Sequence, residues 1–168
     1  MRFSTTVALL SACLAPAVAV NDDHVVPGGS PLRFCDGPIV KEFVDIKSVE
    51  LTPKFPEASG SNLTIEARGI VHKDILEGAY VRINVKWGLI TLLNSKMDLC
   101  EQTSHIDLEC PIKAGDMSLK KTVQLPSAIP DGTYHVMADV YSKNEEHITC
   151  LTASITFSGQ GLFSNLEL

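Results

Sequence analysis

The residues able to do chemistry in this chain are five histidines, five cysteines and a scatter of carboxylates. Their spacing arranges none of them for catalysis. A metal site needs ligands at short regular separations, and an activated nucleophile needs a base within reach. No HExxH, CxxC, GxSxG, P-loop or GxGxxG pattern occurs. His72, His105, His135 and His147 fall in separate segments. His24 follows Asp22 and Asp23 in a polar, turn-rich stretch (NDDHVVPGGSP), and His147 follows Glu145 and Glu146 beside a turn. Both read as solvated side chains. The chain therefore reads as a non-enzyme, with no metal and no cofactor expected.

The cysteines carry a different message. MRFSTTVALLSACLAPAVAV has a basic start, a short apolar run and the small-x-small site Ala17-Val18-Ala19, the pattern of a secretory signal peptide over residues 1–19. Cys13 leaves with it, and Cys35, Cys100, Cys110 and Cys150 remain. An even number in a secreted chain implies two disulfides, although four cysteines permit three pairings. Taking Cys100 with Cys110 as the local pair leaves Cys35 with Cys150.

Charge narrows the partners. The 168 residues hold 14 basic and 20 acidic side chains, and removal of Arg2 with the signal leaves a formal charge of −7. An acidic chain poor in aromatics has no nucleic-acid footprint and no polybasic cluster for electrostatic docking on anionic membrane. Contact with lipid would have to rest on apolar surface.

The elements that must position any site are strands. From Ala79 to Leu93 (AYVRINVKWGLITLL), Val81, Ile83, Val85, Trp87 and Leu89 alternate with Arg82, Asn84 and Lys86, the period of a half-buried strand. Beyond Gly88 the run becomes more apolar than one strand face needs, and the Cys100–Cys110 loop follows. FVDIKSVEL slips phase once, which predicts a strand with a bulge or two short pieces. Leu63, Ile65 and Ala67 alternate next, after the sequon Asn62-Leu63-Thr64, which marks a glycosylation acceptor at a strand edge. Leu119, Val123 and Leu125 form a row that Lys121 interrupts, a cation expected to snorkel at the sheet edge. Val136, Ala138 and Val140 and then Leu151, Ala153, Ile155 and Phe157 complete the pattern. Residues 20–33 read as a flexible leader or pro-segment without structure, residues 34–158 as one domain and 159–168 as a tail. About seven strands with turns between them predict an all-β, immunoglobulin-like sandwich of two antiparallel sheets. The buried tryptophan between two core cysteines that marks antibody domains is lacking.

The linked set Cys35, Cys100, Cys110-Pro111-Ile112, Leu125-Pro126, Pro130-x-Gly132-x-Tyr134 and Cys150 resembles the ML lipid-recognition domain, the group of the Niemann–Pick type C sterol carrier. FCDG, DIKSVELTP, NLTIEARG, EGAYVRINVKWGLITLL and ITCLTASITF are closer still to its fungal phosphatidylglycerol/phosphatidylinositol transfer proteins. The resemblance spans Phe34 to Phe157. It implies the same pairing of cysteines and a lipid held between the sheets. Pro53 to Ser61 lacks the early cysteines of the animal carriers, a departure that sets the sterol analogy apart.

On that resemblance the chain is expected to be a lipid-transfer protein of the secretory pathway, in a vacuole-like lumen or outside the cell. It would carry phospholipid, and sterol as a further ligand, touch membranes transiently and remain monomeric. The expected slot residues are Val85, Trp87, Leu89 and Leu92 in the central stretch. Later in the chain they are Val123, Leu125, Val136, Val140, Leu151 and Ile155. Lys113 and Lys120 are candidate headgroup contacts, with plain surface charge as the alternative. Alternating valines also suit a filled core, and a secreted adhesion module with a protein partner remains the competing function.

Overall fold

The protein is described here by a computed structural model covering residues 23–54, 60–104 and 108–157. The expected signal peptide, the start of the leader, the C-terminal tail and His105 lie outside the described residues.

Eight strands and one short helix make up the fold: β1 (Leu32–Phe34), β2 (Val44–Thr52), β3 (Asn62–Val71), β4 (Tyr80–Trp87), β5 (Ile90–Asp98), α1 (Leu99–Ser104), β6 (Gly115–Gln124), β7 (Gly132–Tyr141) and β8 (His147–Phe157). They form two sheets, of order β1-β8-β7-β4-β5 and β2-β3-β6. Every pairing is antiparallel. The expected sandwich is thus present, with eight strands rather than seven.

The extra strand comes from the central stretch. It is a hairpin rather than one long strand, with Trp87 paired to Ile90 across Gly88-Leu89. Gly88 turns the chain at φ +56°, a left-handed conformation that a residue without Cβ adopts at no steric cost. The surplus of apolar residues beyond Gly88 therefore lies on a hairpin tip and a second strand. The phase slip in β2 is a register shift between Ile46 and Ser48, as the sequence predicts.

The leader needs a larger correction. Its described part is built into the fold, with Val25 bridged to Arg33 and Val26 completely buried. Val26 N–H donates to Leu32 O (3.1 Å), Phe34 N–H to His24 O (2.7 Å), and Val49 N–H to Pro27 O (2.8 Å). Polar composition suggests disorder, but Val26 supplies a buried apolar anchor and the backbone groups around it are satisfied by β1 and β2.

The core is unevenly distributed. One cluster of Phe43, Val44, Val71, Ile75, Ala79, Ile112 and Ile148 seals one end of the sandwich, and a second of Val26, Phe34 and Val49 seals the β1/β2 side. Both disulfides form as expected, Cys35–Cys150 and Cys100–Cys110. The first lies beside the second cluster, where Cys35 N–H donates to Cys150 O. By contrast, neither β5 nor β6 contains a buried residue.

Mutations should report this asymmetry. Ile148→Ala, at a side chain only 1 % exposed, is expected to cost about 2–5 kcal/mol. Leu92→Ala, on exposed β5, should stay within about 0.5 kcal/mol. Urea denaturation of both variants checks the contrast, and equal losses would mean that the β5 side is packed as tightly as the sealed end.

Candidate functional site

Directly paired residues on neighbouring strands point to the same face of a sheet, so the register fixes what faces the gap between sheets. In the larger sheet the rungs are Val81–Val140, Ile83–Ala138–Leu151, Val85–Val136–Ala153 and Trp87–Tyr134–Ile155. Leu93 joins the third rung through Val85. This is the inward face, because Leu151 and Phe34 pack in one cluster with Ile46, Ile65 and Ala67 of the opposite sheet. The matching rungs there are Val49–Ala67–Leu119, Leu51–Ile65–Lys121 and Leu63–Val123.

Burial falls along these rungs. Val81 is buried and Val140 packs against the sealed cluster. Val85 and Val136 are half-buried, and Trp87 is 37 % exposed. Leu63, Leu119, Lys121 and Val123 are also half-buried. The two apolar faces are closed together at one end and along the β1/β2 side. Toward β5, β6 and the end that carries Trp87 their side chains are covered only in part.

The structure thus brings Val85, Trp87, Val123, Val136, Leu151 and Ile155 onto the facing surfaces, with Val140 at their closed end. Leu125 is half-buried just past β6, where its N–H donates to Ser61 O. Leu89 does not join them. It stands at the hairpin turn with its side chain fully exposed, and Leu92 is exposed at the bulge between the Val85–Leu93 and Lys86–Thr91 pairs. Period-two counting carried across an unrecognised turn placed both on the wrong footing.

The two lysines expected at the headgroup each take part in an ion pair. Lys113 binds Asp74 at 2.8 Å, and Ala114 N–H donates to the same carboxylate. Lys120 pairs with Glu66 at 2.5 Å on the outer face of the smaller sheet. Lys121, the interruption in the apolar row, is the cation that shares the inner face with Ile65 and Val123. Its sequence signal was a charge at an in-facing position on an edge strand. Asn62 is exposed, but β3 is the middle strand of its sheet, so a glycan there would not cover an edge.

Trp87 has a made seat. Its indole N–H donates to Asp131 O at 3.2 Å, and the ring lies so close to Gly132 that a Cβ there would meet Nε1 at 2.2 Å. Gly132 also sits at φ +140°. A cavity of about 270 Å³ lies elsewhere, beside Cys35 and Cys150. Asp36, Asp139, Tyr141 and His147 give it a polar lining. Tyr141 O–H donates to Asp139 at 2.8 Å, which holds the phenol above its ordinary pKa. Among the described residues no group of three or more His, Cys, Asp or Glu side chains could hold a metal ion.

An immunoglobulin-like sandwich whose apolar inner faces are only partly covered along one side has the form of a protein that can take an apolar ligand between its sheets. The family model described as the ML domain matches residues 29–157, and the chain belongs to the ML-domain family. It is 50% identical over 161 residues to a phosphatidylglycerol/phosphatidylinositol transfer protein of Neurospora crassa, covering 95% of this chain and 90% of that one. A protein of the same name from Pyricularia oryzae is 48% identical over 167 residues, covering 94% and 93%. A crystal structure of a Niemann-Pick type C2 protein from Japanese carpenter ant superposes with a TM-score of 0.50 at 16% identity. That match covers 74% of this chain and 98% of the other, and it supports the fold.

Two predictions follow from this geometry. Gly132→Ala strains a left-handed φ and displaces the indole, at an expected cost of about 1–3 kcal/mol. Because Trp87 is the only tryptophan, its emission should move to longer wavelength as the ring leaves its seat, and unchanged emission would refute the contact. The second concerns acid. Asp45, Glu66 and Asp74 are held below the ordinary carboxylate range, chiefly by hydrogen bonds from Lys47, Lys120 and Lys113 respectively. A lowered folded pKa contributes stability that is fully present above the unfolded value of about 4 and is lost as pH falls through the lower folded value. These pairs should leave the thermal midpoint level between pH 7 and pH 5 and lower it only under about pH 4.5. A melting series of the wild type beside Asp74→Asn tests this, and a difference between the two that changes from pH 7 to pH 5 would contradict it.

Proposed function

We propose that the protein is a lipid-transfer protein of the secretory pathway that carries a diacyl phospholipid, phosphatidylglycerol or phosphatidylinositol by its relatives' names, with sterol as a further ligand. One observation carries the reading. The rungs from Val85–Val136 to Trp87–Tyr134–Ile155 face a second apolar sheet without being buried by it.

Shielding is the whole of the mechanism, and no bond is made or broken. Acyl chains enter between the sheets from the β5/β6 side and lie along the rungs toward Val140. Each methylene withdrawn from water contributes about 0.8 kcal/mol. Tails therefore bind with few polar contacts, and the same lack of directional bonds lets them leave. Ala138, in the rung between Ile83 and Leu151, puts no bulky side chain in the middle of the slot. The headgroup stays at the mouth, beside edge strand β6. Lys113 and Lys120 are held by carboxylates and play no part in this reading. Two disulfides favour an oxidising compartment, consistent with a signal peptide over 1–19, a lumenal or extracellular location and a glycan on exposed Asn62. The carrier acts as a monomer that touches membranes only transiently.

Native mass spectrometry of protein purified from a eukaryotic host tests the reading, followed by extraction and identification of the lipid. About one phospholipid per chain is expected. Ala138→Trp should fill the slot and reduce that occupancy at least tenfold while leaving the far-ultraviolet spectrum unchanged. A wild-type chain that carries no lipid and takes up none would mean a filled core, and the adhesion reading would replace this one.

A further inference from the structure

The outer face of the larger sheet, turned away from the slot, carries cations that the chain leaves without carboxylates. Alternate residues of a strand share a face, so Arg82, Asn84 and Lys86 of β4 point outward together, out of phase with Val81, Val85 and Trp87. The register sets Lys96 of β5 directly across from Arg82, with Asp139 of β7 on its other side. Like charges directly opposite on neighbouring strands are destabilising. Other lysines are compensated, Lys47 by Asp45, Lys73 by Glu42, Lys113 by Asp74 and Lys120 by Glu66. Among the described residues, Arg82, Lys86 and Lys96 enter no salt bridge.

Aromatic rings hold two of the three in place. The Lys96 ammonium lies 3.6 Å from the ring centroid of Tyr80. The Arg82 guanidinium lies 5.6 Å from Tyr80 and 5.0 Å from Tyr141, and those two rings stack on each other at 5.3 Å. Asp139, the one carboxylate in this row, has both oxygens engaged. One accepts from Tyr141 O–H at 2.8 Å, and the other lies 2.9 Å from His147 Nε2. Two cations that no carboxylate pairs are thus seated side by side on a packed aromatic support. Toward the hairpin, Asn84 and Lys86 join His135, Met137 and Thr152 around a shallow groove of about 280 Å³. Lys86 follows Arg82 by about 13 Å along the strand, with hydrogen-bonding side chains between them.

The chemistry of this face selects its partner. A protein interface is built around an apolar, aromatic centre, and insertion into a bilayer needs apolar surface. Here the tyrosines lie beneath the cations, and Met137 is the exposed apolar residue of the groove. Amide, hydroxyl and imidazole groups match the hydroxyls of sugars. Ammonium and guanidinium groups match sulfate, phosphate or carboxylate substituents, which they bind by charge-assisted hydrogen bonds. We propose that the outward face of β4, β5 and β7, centred on Arg82 and Lys96 with Lys86 as a second contact, binds an anionic polysaccharide. An anionic substituent seated between Arg82 and Lys96 relieves their mutual repulsion. The site lies across the sheet from the slot, so it holds the protein at a polyanionic surface with the slot free, and it stands apart from the lipid-carrier reading.

Columns of immobilised heparin (sulfated) and polygalacturonate (carboxylated) test the proposal, with neutral dextran as the reference. Full mature wild type should be retained at low salt on at least one of the two polyanions, elute as salt rises, and pass through dextran. A chain with a formal charge of −6 has no general attraction to a polyanion, so retention reports a local cluster. Lys96→Gln should lower the affinity several-fold, and Lys96→Gln with Lys86→Gln at least tenfold. Lys120→Gln removes one positive charge from the opposite sheet and should bind as the wild type does. Lipid loading, followed by native mass spectrometry, should be the same in every variant. A wild type that passes through both polyanion columns would overturn the proposal. Equal weakening by Lys96→Gln and Lys120→Gln would do so as well, since diffuse charge would then account for retention. Binding through Lys96 to phosphatidylglycerol vesicles, with none to either polysaccharide, would make lipid headgroups the partner and overturn it too.

Discussion

The segment from His24 to Pro27 is the constraint on which the arrangement depends. Its backbone is hydrogen-bonded to β1 in the larger sheet and to β2 in the smaller one. Val26 is wholly buried between them. Two sheets with apolar inner faces would otherwise slide together until those faces were covered. Fastened by this strap on one side and by the cluster around Ile148 at one end, they can remain apart on the other side. The Cys35–Cys150 bridge secures β1 to β8 within the larger sheet. It keeps the three-residue edge strand, too short to hold by its own ladder, in place to receive the strap.

Keeping apolar faces parted has a free-energy cost, and its location is informative. Stability is concentrated where side chains are almost fully buried, at Val26, Val71 and Ile148. The β5 and β6 surfaces contribute little, since none of their residues is buried. A ligand between the sheets would supply the apolar contact that the protein itself withholds. Binding and folding thus draw on separate groups of residues. The slot can therefore empty without loosening the part that holds the chain together.

Much of this arrangement was legible in the sequence wherever alternation ran uninterrupted. Val81 to Trp87, Tyr134 to Val140 and Leu151 to Phe157 kept one phase, and the register placed their apolar residues on one face. Alternation failed at Gly88-Leu89, which lacks the Asn-Gly or Asp-Gly signature of a tight hairpin, so a turn passed for strand and Leu89 was misplaced. The leader failed for a different reason, because Val25-Val26 is too short to show periodicity and its partners lie far along the chain. The lysines failed on tertiary grounds. Nothing near Lys113 or Lys120 in sequence announces Asp74 or Glu66, whereas Lys121 did break a visible pattern and is the one on the inner face.

A parted sandwich must also avoid pairing with its neighbours, since β5 and β6 are both sheet edges. Exposed edges offer unpaired backbone groups to any other strand. On β5 the bulge at Leu92 breaks the regular spacing of those groups beside the most apolar residues. On β6 consecutive lysines occupy both faces of the strand, Lys120 outward with Glu66 and Lys121 inward beside Ile65. An added strand would have to desolvate both charges. The lysine that departs from the apolar pattern of the inner face therefore has a physical reason to be there. Its ammonium keeps the open side from closing on another chain.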